Sequence, residues 1–120
     1  MNGHVSALHV LVSVPFRRLG QPDTAIEFVV DTGFTGELCL PPDALAALGL
    51  PSRYSTRARL ADDSAVRMPV HDATILWNGA ERIARVLAAG VRPLLGTALL
   101  VDCELLAQFR EGGLVMIDPL

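Results

Sequence analysis

The run Phe28-Val29-Val30-Asp31-Thr32-Gly33-Phe34-Thr35-Gly36-Glu37-Leu38 constrains this chain more than any other stretch. An apolar strand runs directly into an acid, a hydroxyl and a glycine, and a second glycine follows three residues later. The apolar strand implies a buried backbone, while glycine allows sharp turns and close backbone approach at little cost. A carboxylate held at the mouth of a core strand on such a turn is a candidate for chemistry. The same residues also suit a plain turn, because Asp and Thr side chains bond nearby amides and Gly supplies positive φ. What stands elsewhere in the chain decides between the two.

At 120 residues the chain, 1–120, has the length of a single domain, with room for one core and not for two lobes. With 51% hydrophobic and 19% charged residues it is expected to fold, and to leave apolar surface that a second copy would cover. A formal charge of −3 and ten scattered basic residues argue against a nucleic-acid partner, whose binding rests on phosphate neutralisation. Cys39 and Cys103 have neither CxxC spacing nor a nearby His pair, so they read as buried thiols rather than a zinc site or a disulfide framework. Met1-Asn2-Gly3-His4 lacks the pattern of a signal peptide. The most apolar stretch, Ile83 to Val101, is broken by Arg85, Arg92 and Pro93, which disqualifies it as a membrane span. The expectation is a cytoplasmic protein.

Val5 to Val14 alternates as one strand with a buried face of Leu8, Val10, Val12 and Val14, closed by Pro15. A polar connection from Arg17 to Thr24 leads to a second strand, Ala25 to Val30, and the two read as a hairpin. After the glycine turn, Glu37 to Pro41 is a short strand and Pro42 to Leu48 a short helix, with Pro in its first turn and Gly49 and Pro51 ending it. Tyr54 to Ala61 and Ala65 to Leu76 form a long hairpin with the polar tip Asp62-Asp63-Ser64, and Arg57, Arg59 and Arg67 on its arms require a solvated face. Asn78-Gly79 is a strong hairpin signal and leads into Ala80 to Ala88. Val91 to Gly96 reads as another apolar strand ending on glycine. Thr97 caps a predicted late helix with Leu99, Leu100, Val101, Leu105 and Leu106 at helical spacing, stopped by Gly112-Gly113. Leu114 to Ile117 is the closing strand. The sum is about eight strands and two helices. His4, His9 and His71 read as ordinary residues, since none has a second His at ligand spacing.

This order resembles the retroviral-type (retropepsin-like) aspartic proteases, in particular their small single-domain bacterial branch. The features that carry the resemblance are the apolar strand into Asp31-Thr32-Gly33, the hairpin with tip Asp62-Asp63-Ser64 where the family keeps its flap, and Leu94-Leu95-Gly96 leading into a late helix. It implies a mostly β, closed acid-protease barrel with a flap hairpin, one short helix and one late helix. It further implies Asp31 as catalytic acid, Thr32 as the hydroxyl bracing two active-site loops across a dimer axis, and Gly33 as the close-approach glycine. Phe34, Ala61, Asp62, Asp63, Ser64, Leu94, Leu95 and Gly96 would then line the flap and cleft. Two departures stand out. Phe34 replaces the small residue that usually follows Asp-Thr-Gly, and Asp63 stands near a flap position where glycine is common.

The chemistry so implied is peptide-bond hydrolysis, with two carboxylates close enough to share a proton, because two like charges at that distance do not both ionise cheaply. It needs no metal or cofactor. The chain holds one Asp-Thr-Gly, and Asp23, Asp72, Asp102 and Asp118 lack its strand-to-glycine setting, so a symmetric homodimer would supply the second carboxylate. Leu114 to Ile117 is expected to pair across that axis. The rival expectation is a catalytically silent peptide-binding or interaction module of the same fold, in which Asp31 only orders its turn. A more distant one is a small-molecule enzyme pairing Asp31 with His9 or His71.

Overall fold

The computed structural model describes residues 1–50, 52–59 and 62–120; Pro51 and Ala61, on which two of the sequence expectations fall, lie outside the described residues. The strands are β1 (Asn2–Ser6), β2 (His9–Arg17), β3 (Thr24–Val30), β4 (Leu38–Leu40), β5 (Ser52–Arg59), β6 (Ala65–Trp77), β7 (Ala80–Ala88), β8 (Leu94–Leu95), β9 (Cys103–Ala107) and β10 (Leu114–Pro119), with one α-helix, α1 (Pro42–Leu48). They join in one sheet of order β5-β6-β7-β4-β8-β3-β2-β1-β10-β9. A further antiparallel pairing, Phe16 with Ile75 and Arg17 with Thr74, connects β2 back to β6. Two residue pairs thus join the circuit β6-β7-β4-β8-β3-β2 end to end, an arrangement consistent with a barrel. The core fills it from alternating positions. Val10, Val12, Val14 and Phe16 of β2 point inward, and the Phe16 ring stacks on Phe28 at 6.0 Å between centroids.

Several local signals act as the residue types require. The Asn78-Gly79 turn has φ of 49° and 82°, the left-handed pair of a tight hairpin. Helix α1 ends on Gly49 at φ 67°, whose N–H returns to the Ala46 carbonyl.

Four expectations are corrected. Val5 to Val14 is two strands rather than one, because Ala7 and Leu8 turn the chain at φ 50° and 63°. Left-handed backbone at non-glycine residues is costly and leaves no composition signal; here the Ala7 N–H donates to Glu111 Oε2 at 2.9 Å, which braces the turn from outside the local sequence. Nor does Pro15 close β2, which runs on to Arg17: residues 13–15 fall between the ladder to β1 and the ladder to β6, so one flank there has no bonds to lose.

The third correction is the late helix. Only Thr97–Leu100 winds, as one 3-10 turn; Asp102 at φ 59° then turns the chain, and Cys103–Ala107 is strand β9, paired with β10 from Val115↔Ala107 to Pro119↔Cys103. Leu105 and Leu106 fit a helical pattern over so short a run, and the cross-strand ladder overrides it. Strand β10 is also paired on both sides, by β1 and β9, so it is not free to pair across an axis. Among the described residues the free edges of the sheet are β5 and β9.

Candidate active site

Strand β3 delivers Asp31. Its last residues pair in parallel with β8, Val29 with Leu94 and Val30 with Leu95, and the Asp31 N–H donates to the Leu95 carbonyl at 2.9 Å. The chain then reverses: Phe34 N–H donates to the Asp31 carbonyl at 3.1 Å, and Gly33 N–H to Asp31 Oδ1 at 2.9 Å. The carboxylate is half-buried, with one oxygen fixed by the turn it heads.

A second loop clamps the first. Gly96 N–H donates to the Glu37 carbonyl at 2.8 Å, Thr97 N–H to Phe34 at 2.9 Å and Ala98 N–H to Gly36 at 3.2 Å. Close contact of this kind requires glycine. A Cβ on Gly96 would collide with the Gly36 carbonyl and sit 2.7 Å from both the Phe34 ring and the Phe34 carbonyl, and one on Gly36 would sit 2.6 Å from the same ring. The Phe34 ring thus fills the space that Gly36 and Gly96 leave open. Its place there gives the departure at this position a packing role: it wedges the two loops rather than bonding the acid.

Glu37 ties the loop to the barrel wall. Its Oε1 accepts the Arg85 backbone N–H and its Oε2 an Arg82 N–H, both at 2.9 Å. Beside it opens a cleft of about 700 Å³ between the glycine loop and the hairpin β5–β6, lined by Thr35, Gly36 and Glu37 from the loop, Tyr54, Thr56, Val70 and Asp72 from the hairpin, and Ile83, Arg85 and Leu87 from β7. Asp31 is not part of this lining; it stands on the first half of the same loop. Its neighbour Thr32 is exposed and lines a different groove, of about 440 Å³, with Leu8, Val10, Val29, Val30, Leu105 and Phe109.

The residues named from the sequence therefore divide. Asp31, Thr32, Gly33 and Phe34 share one loop. Leu94, Leu95 and Gly96 lie directly beneath it; Leu95 and Gly96 are buried, so they seat the loop and present no surface to a peptide. Asp62, Asp63 and Ser64 form the exposed hairpin tip. There Ser64 donates to Asp62 Oδ1 from its N–H at 3.0 Å and its hydroxyl at 2.6 Å, and these bonds hold the Asp62 carboxyl below the usual range. Arg59 pairs with Asp63 at 2.9 Å, and Asp63 adopts φ 68°, so this position does take the left-handed backbone for which glycine is commoner. Neither histidine considered as a partner is bonded to Asp31: His9 Nε2 accepts from Arg92 at 3.1 Å, and His71 Nδ1 donates to the Leu50 carbonyl at 2.9 Å. Sequence reasoning passed over Glu37, Tyr54, Asp72 and Arg85. The alternation in β7 was the available signal, since Ile83, Arg85 and Leu87 share a face opposite buried Ala84 and Val86.

No protein-family model matches this chain, and no curated protein sequence does. Among solved structures it is similar to a retropepsin-like aspartic protease from Rickettsia conorii, with a TM-score of 0.61 and 15% identity over 100% of this chain and 90% of that one. At that identity the likeness is one of fold. The chain has the retropepsin-like fold.

Proposed function

We propose that residues 1–120 form one aspartic endopeptidase unit that hydrolyses peptide bonds as a homodimer. The observation that carries this reading is the half-buried Asp31 carboxylate on a doubly clamped glycine loop whose second half lines a cleft beside a long hairpin. Across a two-fold axis the Asp31 carboxylates of the two subunits share one proton. The ionised member takes a proton from water as that water attacks the scissile carbonyl, and the protonated member donates to the developing oxyanion. An extended peptide lies between loop and hairpin with alternate side chains in the cleft. Thr32 in its apolar groove, with Leu8 73% and Phe109 65% exposed beside it, supports a subunit contact on that face. This replaces the contact through β10. No helix among the described residues is long and apolar enough to cross a membrane, and the free Cys39 and Cys103 thiols fit a cytoplasmic setting.

The test is Asp31→Asn, which keeps shape and the Gly33 bond but removes the shareable proton. Peptide-library cleavage should vanish while the thermal midpoint stays within a few degrees of wild type; cleavage at the wild-type rate would remove Asp31 from the chemistry. One observation favours the second reading, a peptide-binding module without turnover: Asp31 Oδ1 is already occupied in ordering its own turn. Wild-type protein that binds library peptides and cleaves none of them would establish it.

A further inference from the structure

The cleft carries a charge that the protein itself leaves unanswered. Of its two carboxylates, Glu37 is bonded by Arg82 and by the Arg85 backbone N–H, and Asp72 Oδ2 lies 3.5 Å from Arg53 Nε. Arg85 stands directly across the β6–β7 ladder from Asp72, on the cleft face of β7, and its side chain is exposed. Among the described residues its guanidinium makes no ion pair. Three cations thus meet two anions around this cleft, and the unmatched one points at the space a substrate would fill. The rows beside it, Val70 with Leu87 and Thr74 with Ile83, are apolar or neutral, so nothing else there competes for an anion.

We infer that Arg85 is a specificity residue that reads an acidic side chain, Asp or Glu, at one fixed position of the bound peptide. This rests on the proposed peptidase reading for its substrate class and on the cleft geometry for its sign. A planar guanidinium on a strand face matches a carboxylate in two parallel N–H···O bonds, which a neutral amide answers only in part. The pair is open to solvent, so the expected preference is modest, about threefold to tenfold in kcat/KM between a peptide and its Glu→Gln counterpart, and smaller at high salt.

The experiment profiles cleavage of a peptide library by wild type, Arg85→Gln and Arg85→Glu, alongside anisotropy binding of the same acidic and amidated peptides to each protein. The Arg85 side chain packs into no core, so Arg85→Gln should retain the wild-type melting curve, while Arg85→Glu, set opposite Asp72, should stay folded and melt slightly lower. Enrichment of acids at one position, flattened in Arg85→Gln and turned toward Arg and Lys in Arg85→Glu, supports the inference. Cleavage without acidic preference, or a preference that survives Arg85→Glu, overturns it while leaving the peptidase intact. Should wild type cleave nothing, the peptidase reading falls, and the binding arm decides on Arg85 by the same charge swap.

Discussion

Gly96→Ala tests the double-loop clamp most severely. The added methyl would meet the Gly36 carbonyl in full collision and the Phe34 carbonyl at 2.7 Å, where ordinary contact begins at 3.4 Å. Both obstacles are backbone, and both carbonyls are in use, Phe34 O accepting from Thr97 and Gly36 O from Ala98. Relief therefore requires the loop carrying Asp31 to move away, at the expense of those two bonds. Overpacking costs about 1–3 kcal/mol, and each backbone bond about 1 kcal/mol net. The expected loss is then about 3–5 kcal/mol, a large part of the roughly 5–15 kcal/mol that holds a domain folded. For a chain of this size it lowers the thermal midpoint by about 10–20 °C. Thermal and urea unfolding followed by circular dichroism measure it directly. A variant within about 1 kcal/mol of wild type would refute the clamp as described, because neither carbonyl can then be where the bonds require.

Three further outcomes are expected. Glu37→Gln keeps the size of the side chain but loses the charge that meets Arg82, so stability should fall by about 1–2 kcal/mol, with the loss shrinking in high salt; an unchanged urea midpoint would show that the loop is held without it. Because its bonds to Ser64 depress the Asp62 carboxyl, the order they give the tip is present at neutral pH and is lost only as pH falls through a value below the ordinary carboxylate range. The Asp62 charge therefore persists in mildly acidic solution, and Asp62→Asn with Asp63→Asn should leave the acid limb of the pH–rate profile where wild type has it; a displaced acid limb would return the flap to the explanation. If two subunits share the site, rate per subunit should fall on dilution, and Phe109→Asp should move that fall to higher protein concentration; a monomer by sedimentation with full activity would end the shared-site mechanism.

Elements whose signals are local were legible in the order of residues alone. Gly49 stops α1 and Asn78-Gly79 folds a hairpin because each residue sits at a left-handed backbone position that its own chemistry favours. The same holds for the strand that delivers Asp31, where an apolar run into Asp-Thr-Gly has few other places to go. Features that depend on partners far along the chain took shape only in the folded molecule. The turn at Ala7-Leu8 is braced by Glu111, and Cys103–Ala107 became a strand because β10 offered it a ladder, against a helical spacing too short to hold alone. Phe34 looked like an intruder after Asp31-Thr32-Gly33 until Gly36 and Gly96 proved to leave room for its ring. Arg85 was one charge among ten until the pairing of β6 with β7 set it opposite Asp72 on the face of a cleft, since burial and alignment across a sheet are properties of registers that no single strand contains.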